Sequence, residues 1–250
     1  MKKNIFISGV SKGIGRELAL YHLKQGDHVY GISRSKCDEL QKYENFYHYS
    51  IDLSQSKSIT ENLEKFSDLQ QVKKLDRLYL NAGLIPKLSR LDQQKFDDFN
   101  YVISVNLFSY KILLDFFLNR ENLLLEQIIV SASISGVRPR EGMSAYAVSK
   151  SALNMMMKIY ALENPHLFFA VIGLCIFDSQ ISRVMSLDNP DINQFLELKK
   201  LAERMSQGNN YLVSPEQRAK DLIHVLNNIE TLKITSGDFF EIRNLLDLNK

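Results

Sequence analysis

The sequence has no tryptophan and only two cysteines, Cys37 and Cys175, among its 250 residues. Two cysteines so far apart are too few for a disulfide framework, so we expect both to be free thiols in a reducing cytosol. Neither sign of charge dominates, because 31 basic residues are matched by 29 acidic ones and the basic residues are dispersed. This balance disfavours nucleic acid and membrane surfaces as partners.

Long apolar runs are also missing. The apolar residues near the start are interrupted at Ser8 and Gly9, which argues against a signal peptide. No run reaches the ~18 residues that a membrane span requires, and we expect a cytoplasmic protein. The five histidines show no metal-ligand spacing, so no metal site is predicted. A hydrophobic content of 45% over this length favours one domain with a substantial core.

A glycine-rich turn follows the first apolar strand. Ile5-Phe6-Ile7 is typical of a buried parallel strand, and it leads into residues 8–15, S-G-V-S-K-G-I-G, which we call the glycine turn. Its glycines leave room for a tight turn, for a pyrophosphate and for packing of helix against strand. The next helix presents free N–H groups and a positive dipole end. The predicted phosphate-binding residues are Gly9, Ser11, Lys12, Gly13, Ile14 and Gly15.

A basic residue follows the second predicted strand, residues 28–33. In a nucleotide-binding βαβ unit, an acidic residue about 20 positions beyond the glycine turn binds a ribose 2′-hydroxyl, whereas arginine there suits a 2′-phosphate. Arg34 stands 21 residues past Gly13, and Lys12 would add a second cation near the same phosphate. Each residue alone is as well explained as a solvated surface charge. Together they favour NADPH.

Two further predicted strands end in short motifs that suit a nucleotide. Asp52-Leu53 follows residues 46–51, and its carboxylate could accept from an adenine amino group. Asn81-Ala82-Gly83 follows residues 75–80, and its small residues suit a backbone that passes close beneath a ribose. Val105-Asn106 then opens a predicted helix, where Asn106 is either a buried capping side chain or a polar contact at an active site.

The stretch S-I-S-G-V-R-P-R-E-G-M-S-A-Y-A-V-S-K, residues 133–150, supplies a candidate proton donor. In a helix that begins near Ser144, Tyr146 and Lys150 share one face, and the ammonium favours the phenolate. Ser133 follows an apolar run and could hydrogen-bond the same substrate oxygen. The pair alone decides nothing, because 11 Tyr and 20 Lys in 250 residues predict 11 × 20/250, or about 0.9, such pairs by chance.

Taken together, these motifs resemble the short-chain dehydrogenase/reductase family. They fall in the family's order over nearly the whole chain, including the interval of 13 residues from Ser133 to Tyr146. The matching motifs are Ser8-Gly9-x-x-x-Gly13-Ile14-Gly15, Asp52-Leu53, Asn81-Ala82-Gly83, Asn106, Ser133 and Tyr146-x-x-x-Lys150.

The resemblance implies a single α/β domain over residues 1–250, with a Rossmann-type doubly wound parallel sheet and helices on both faces. It implies a nicotinamide cofactor and a small-molecule carbonyl substrate. It also implies a homodimer or homotetramer packed through the helices after Asn106 and after Ser144. The implied catalytic residues are Asn106, Ser133, Tyr146 and Lys150, of which Tyr146 and Lys150 also contact the cofactor, and Ser133 and Tyr146 the substrate.

The turn after the sixth predicted strand departs from the family pattern. Leu174-Cys175 stand where the family usually has Pro-Gly. In relatives a threonine at the position of Ser179, with a backbone group near Phe177, holds the nicotinamide carboxamide, and serine keeps the hydroxyl. Phe177 and Ser179 are therefore implied cofactor contacts, in a turn altered by the loss of Pro-Gly.

Residues 180–213, which we call the lid segment, show no clear period and contain Gly208-Asn209-Asn210. They predict a mobile substrate lid with a short helix at residues 195–205. Ser214-Pro215 predicts a helix start with serine as N-cap. The last predicted strand covers residues 239–242.

Shorter segments are similar to the sepiapterin reductase and bacterial benzil reductase branch of the family. An acidic residue after the comparable Ser236-Gly237 anchors the pterin ring in sepiapterin reductases, which makes Glu241 a candidate substrate anchor. On an alternating strand Glu241 faces away from Phe240 and Ile242, toward either a pocket or solvent. The other segments that carry this similarity are Ala161-Leu162-Glu163-x-Pro165, Phe177-Asp178-Ser179 and Leu196-Glu197-Leu198-Lys199.

These observations predict an NADPH-dependent carbonyl reductase that acts on a sepiapterin-like or benzil-like carbonyl. Tyr146 would be the general acid, with Ser133 and Lys150 assisting and Asn106 supporting a relay water. Two alternatives remain open. A sensor that binds NADPH without catalysis would need only the nucleotide half of the chain, and an NAD-dependent alcohol dehydrogenase of the same fold is disfavoured by Arg34.

Overall fold

Seven parallel strands form one sheet in the computed structural model, which describes residues 2–208 and 211–247. The predicted turn at Asn209-Asn210 lies outside the described residues. All six strand pairings are parallel. The strands in chain order are β1 Asn4–Ser8, β2 His28–Ser33, β3 Phe46–Ser50, β4 Lys74–Leu80, β5 Leu124–Ala132, β6 Phe168–Gly173 and β7 Phe239–Glu241.

The strand order across the sheet is β3-β2-β1-β4-β5-β6-β7. From β1 the chain winds outward to β2 and β3, and it then returns to β4 on the other side of β1. The direction of winding therefore reverses between β1 and β4. In such sheets ligands bind in the crevice outside the carboxyl ends of the strands at this point. The predicted Rossmann-type sheet is confirmed.

Helices cover both faces of the sheet, as predicted. Phe6 lies in the core on one face with Leu113, whereas its neighbour Ile5 lies in the core on the other face with Leu18 and Leu222. This alternation follows from the two-residue period of a strand. The helices are α1 Gly13–Lys24, α2 Ile59–Glu64, α3 Ser67–Gln70, α4 Phe96–Ile103, α5 Ser109–Leu118, α6 Ser144–Glu163, α7 Gln180–Val184, α8 Leu196–Ser206, α9 Pro215–Asn227 and α10 Ile242–Asp247.

The helix that carries Asn106 starts earlier than the sequence predicted. It begins at Phe96, passes through a π-helical turn at Ser104–Phe108, and continues as α5. Its N-cap residue, Lys95, makes no side-chain capping bond, so no capping signal marked the start. Asn106 therefore lies in the middle of a helix and cannot cap its N-terminus. π-Helical turns inside helices are frequent at functional sites.

This continuous helix, Phe96–Leu118, also meets the length and composition of a membrane span. It has 23 residues and a mean hydropathy of 1.4 in its most apolar window, although polar residues break every apolar run. Of that window, 44% is buried inside the protein. Tyr110, Leu113 and Phe117 pack into the core under the sheet. We therefore interpret the segment as a core helix.

The predicted helix in the lid segment is confirmed, and it packs against the domain. Phe195, Leu198 and Leu201 of the lid segment form one apolar cluster with Met143 and Tyr146. A Cβ at Gly142 would lie 2.8 Å from the Phe195 ring, so the chain passes directly under this aromatic side chain. The lid segment is thus docked beside the predicted catalytic tyrosine.

Two predictions near the C-terminal end differ in outcome. Ser214 is the N-cap of α9, because its hydroxyl accepts from the N–H of Gln217 at 3.0 Å and Pro215 follows it, as predicted. The last strand is shorter than predicted, since Ile242 begins α10 and Glu241 is the final residue of β7. Ile242 is fully buried, and packing of this helix ends the strand.

Candidate active site

A cavity of about 920 Å³ opens at the carboxyl ends of the strands, where the winding reverses. Its wall runs from the glycine turn to the lid segment. Two predicted site residues, Gly15 and Asn106, do not line it and lie behind its wall. The predicted residues that do line it are Gly9, Ser11, Lys12, Gly13, Ile14, Arg34, Asp52, Leu53, Asn81, Ala82, Gly83, Ser133, Tyr146, Lys150, Phe177, Ser179 and Glu241.

The glycine turn has the shape that a phosphate group requires. Gly9 and Gly13 have φ angles of +82° and +59°, in the left-handed region that favours glycine. A Cβ at Gly15 would overlap the carbonyl oxygen of Gly9, so this glycine allows α1 to pack closely on β1. A Cβ at Gly13 would meet nothing within 4 Å. The helix start is therefore open to the cavity, and these residues fit a bound pyrophosphate.

Two exposed cations, Lys12 and Arg34, line the end of the cavity where the glycine turn lies. Nη1 of Arg34 donates to the hydroxyl of Tyr101 at 3.4 Å, and its backbone carbonyl accepts from Ser50 at 2.9 Å. Among the described residues neither side chain forms an ion pair with a carboxylate. Both are available to an anionic group in the cavity.

Hydrogen bonds between strand ends form the floor of the cavity. The hydroxyl of Ser8 accepts from the N–H groups of Asn81 and Ala82 at 3.0 and 3.2 Å. Ser131 donates to Oδ1 of Asn81 at 3.0 Å, and Tyr110 donates to the Ala82 carbonyl at 2.8 Å. The ends of β1, β4 and β5 are thereby joined. The Asn81 side chain contributes to this connection by accepting from Ser131. The small residues Ala82 and Gly83 leave the backbone of this segment accessible from the cavity.

Tyr146 lies buried on the inward face of α6, one turn before Lys150. Burial raises the pKa of Tyr146, and a hydrogen bond with Ser133 acts in the opposite direction. Ser133 also accepts from the N–H of Ser135 at 3.2 Å, which fixes its side chain. A phenol with a raised pKa stays protonated at neutral pH. Tyr146 can thus hold a proton for delivery to an oxygen in the cavity.

Lys150 is 3% exposed, and its Nζ lies 6.0 Å from the centroid of the Tyr146 ring. Burial lowers the pKa of Lys150 to about 8. The sequence predicted that this ammonium lowers the pKa of the tyrosine, but in this structure burial raises the pKa of Tyr146, and only the hydrogen bond with Ser133 opposes it. Burial disfavours both the phenolate of Tyr146 and the ammonium of Lys150, and helical spacing does not reveal burial.

Asn106 is completely buried, and protein groups occupy its side chain. Its Oδ1 accepts from the N–H of Leu84 at 2.9 Å, while its Nδ2 donates to the Leu84 carbonyl at 2.8 Å and to Ser149 at 3.1 Å. These bonds join the π-helical turn, the loop after β4 and helix α6. The sequence left two roles open for Asn106, a helix cap and a polar contact at the active site. In the structure the Asn106 side chain does not cap a helix, and it does not line the cavity.

The altered turn after β6 has an unusual backbone. Cys175 has a φ of +57°, the left-handed conformation for which glycine is suited. Its thiol donates to Oε1 of Glu241 at 3.2 Å, and both side chains line the cavity. Glu241 therefore faces the cavity, one of the two alternatives for this residue. The hydroxyl of Ser179 accepts from the N–H of Ser182 at 3.1 Å and caps α7.

Six arginines besides Arg34 line the cavity and were not recognised from the sequence, namely Arg16, Arg138, Arg140, Arg183, Arg204 and Arg243. Arg138 and Arg140 lie between Ser133 and Tyr146, and Arg204 lies on α8 in the lid segment. The R-P-R triplet was visible in the stretch before Tyr146. Nothing in the sequence, however, showed that α8 brings the guanidinium of Arg204 to the same cavity as Arg138 and Arg140.

A doubly wound sheet with a glycine turn and a buried tyrosine–lysine pair on one cavity is typical of an oxidoreductase that binds a nicotinamide cofactor. The family model for short chain dehydrogenases matches residues 3–176. The chain belongs to the short-chain dehydrogenase family, as the motifs predicted.

Known relatives agree with this assignment. The chain is 27% identical over 252 residues to a benzil reductase ((S)-benzoin forming) of Bacillus subtilis, covering 96% of this chain and 98% of the relative. It is 29% identical over 168 residues to an NADPH-dependent pterin aldehyde reductase of Arabidopsis thaliana, covering 64% and 69%. A solved short chain dehydrogenase family protein from Francisella tularensis has a TM-score of 0.78 at 23% identity, with 97% of both chains covered.

Proposed function

We propose that the protein is an NADPH-dependent carbonyl reductase that acts on a ketone or dicarbonyl. The observation that carries the proposal is the position of Tyr146, which faces the cavity together with Ser133 and lies beside Lys150. The cofactor, when bound, supplies the hydride that reaches the carbonyl carbon. The chain's own residues must then hold the substrate oxygen and provide its proton.

In this proposal Tyr146 gives its phenolic proton to the carbonyl oxygen of the substrate. Ser133 donates a hydrogen bond to the same oxygen and polarises it. Lys150 would stabilise the resulting phenolate and would hold the ribose of a bound cofactor. Asn106 is a positioning residue, because its amide is committed to Leu84 and Ser149, so any relay water must be held by other groups.

The preference for NADPH over NADH is part of the proposal. Lys12 and Arg34 are exposed on the cavity wall beside the glycine turn, and an arginine suits a 2′-phosphate. Asp52, Leu53 and the residues 81–83 would receive the adenosine half of the cofactor. Phe177 and Ser179 would receive the nicotinamide, although the Ser179 hydroxyl also caps α7.

Vicinal dicarbonyls and pterin side-chain carbonyls are the proposed substrates. The Bacillus subtilis relative is a benzil reductase, and the Arabidopsis thaliana relative is a pterin aldehyde reductase. Glu241 lines the cavity, where its carboxylate would anchor an amino-pyrimidine ring. The lid segment would enclose the substrate beside Tyr146, and its motion is a prediction.

A second copy of the chain is the proposed protein partner, in a cytoplasmic homodimer or homotetramer. Exposed apolar side chains lie just after Asn106 and on α6, where Phe108 is 44% exposed and Leu162 is 81% exposed. Burial of such side chains between copies would stabilise an oligomer. The mass of the particle in solution, measured by light scattering, tests this arrangement.

The experiment that tests the proposed function is a spectrophotometric screen of NADPH oxidation. Sepiapterin, benzil, other diketones and simple aldehydes are supplied in turn, and each active substrate is repeated with NADH. Turnover with a carbonyl and NADPH supports the reductase. Binding of NADPH without oxidation by any carbonyl would favour the sensor, and faster carbonyl reduction with NADH than with NADPH would favour the NAD-dependent alcohol dehydrogenase.

A further inference from the structure

We propose that the natural substrate carries an anionic group, a carboxylate or a phosphate, which Arg138, Arg140 and Arg204 bind at the lid end of the cavity. This inference rests on the proposed function, because it assigns a substrate class to the same site. We call these three residues the arginine cluster.

The arginine cluster is built from two separate parts of the chain. Arg138 and Arg140 come from the segment between Ser133 and Tyr146, whereas Arg204 comes from α8. Arg140 is half-buried, and its pKa is lowered first by this burial and then by the charges of Arg138 and Arg204. All three side chains line one cavity, and Arg140 lies where the charges of both Arg138 and Arg204 act on it. An anion placed among them would offset these positive charges.

Carboxylates of the chain do not balance this charge. Among the described residues, none of the three arginines forms an ion pair within 4.0 Å. Glu197 lines the same cavity and acts on all three arginines, but it is a single carboxylate among three guanidinium groups, and it already binds Lys200 at 3.2 Å. Arg183, on the same cavity wall, is in contrast paired with Asp178 at 3.4 Å. The cluster thus keeps an excess of positive charge.

Because of its position in the cavity, we assign the arginine cluster to the substrate and not to the cofactor. The glycine turn, Lys12 and Arg34 already provide for the phosphates of the cofactor. Arg204 is flanked on α8 by Leu201 and Met205, whose side chains pack in one cluster with Tyr146. A molecule that places its carbonyl at Tyr146 and extends under the lid segment would reach the cluster. Guanidinium groups bind carboxylates and phosphates with paired hydrogen bonds, and a concave site strengthens the attraction.

The test compares pairs of substrates that share a reactive carbonyl, one member of each pair carrying an anionic group and the other not. Phenylglyoxylate and its methyl ester share one reactive ketone, and glyceraldehyde 3-phosphate and glyceraldehyde share one aldehyde. We expect a lower KM for the charged member of at least one pair, and the pair that responds distinguishes carboxylate from phosphate. Arg140→Gln should raise the KM of that charged substrate about tenfold or more, with kcat within about twofold, because a charge-assisted bond is lost. The uncharged member should change less than about twofold.

Lys199→Gln is the matched control, because Lys199 is a half-buried cation on α8 that does not line the cavity. It should leave every KM unchanged, whereas Arg204→Gln should resemble Arg140→Gln. Equal KM values for both members of each pair, with equal effects of Arg140→Gln on both, would overturn the anionic substrate and leave the reductase intact.

A binding measurement separates failure of the inference from failure of the proposed function. If no carbonyl is reduced, calorimetric titration of the NADPH-loaded protein with phenylglyoxylate and glyceraldehyde 3-phosphate still tests the cluster. Binding that weakens about tenfold in Arg140→Gln supports it. No binding to the unmodified protein, or binding that Arg140→Gln leaves unchanged, overturns it.

Discussion

Nζ of Lys150 donates to the carbonyl oxygen of Ser131 across 2.7 Å, where α6 passes the end of β5. This bond holds the ammonium in place before any cofactor enters. The Ser131 hydroxyl donates to Asn81, so the position of Lys150 is connected to the floor of the cavity. A buried cation in this position is sensitive to pH, because its charged form is disfavoured.

The affinity for NADPH should therefore decrease above pH ~8. Burial lowers the pKa of Lys150 to about 8, so the side chain is charged below this pH and becomes neutral above it. If the charged form binds the ribose, the apparent Kd rises about tenfold for each pH unit above the pKa, in proportion to the lost charged fraction. Fluorescence titration between pH 6.5 and 10 measures the curve. Lys150→Met should give weaker binding without this increase, and a flat curve for the unmodified protein would remove Lys150 from cofactor binding.

Tyr146→Phe should keep the affinity for NADPH while kcat falls ~10²-fold or more, which is the scale of a lost general acid. The hydroxyl is the only group removed, and the ring continues to pack with Met143 and Leu201. Tyr160→Phe is the control on the same helix, because its hydroxyl donates to Asp115 outside the cavity. Its turnover should be unchanged. Similar turnover in both variants would refute the role of Tyr146 as acid.

Arg34→Asp should reverse the preference from NADPH to NADH, because a carboxylate would stand where the guanidinium met the 2′-phosphate. Loss of one charge-assisted contact costs ~1.5–3 kcal/mol, and repulsion adds to this value. The ratio of Kd values for the two cofactors gives the result. Arg90→Asp, an exposed change outside the cavity, should not alter the ratio. A variant that still prefers NADPH would indicate that other groups, such as Lys12, hold the phosphate.

Cys175→Gly should be more stable than Cys175→Ala by about 1 kcal/mol. A φ of +57° costs a residue with a Cβ roughly 1–2 kcal/mol, and the greater chain entropy of glycine cancels part of this difference. Cys37, whose φ is not positive, should show the opposite order, with alanine the more stable replacement. Urea denaturation of the four variants measures the free energies of unfolding. Equal stability of the two Cys175 variants would show that the turn relaxes.

The sequence predicted the features that depend on local pattern. The buried run at Ile5–Ile7, the glycine turn and the spacing of Tyr146 and Lys150 each predicted an element that the structure contains. The start of the helix at Phe96 was missed because no capping residue marks it. The raised pKa of Tyr146 was missed because it depends on burial. Such properties arise from contacts between distant parts of the chain.

The arginine cluster is a further case of this limit. Arg138 and Arg140 are close in sequence, but the third member, Arg204, is brought to the cavity by the packing of α8 on Tyr146 and Met143. No period or motif in the lid segment indicates that packing. The same holds for the bond from Cys175 to Glu241, which joins residues 66 positions apart.

Glu241→Ala should raise KM for a pterin substrate about tenfold or more while leaving KM for benzil nearly unchanged. The carboxylate lines the cavity at the end of β7 and accepts a bond from the Cys175 thiol, which leaves acceptor capacity on its oxygens for the N–H groups of a pterin. Benzil has no such donors, so it cannot use the contact. Cys175→Ala is the control, because it removes the thiol and keeps the carboxylate in the cavity wall. Steady-state kinetics with both substrates measure the effect. Equal changes for pterin and benzil would mean that Glu241 shapes the turn after β6 and does not bind the ring.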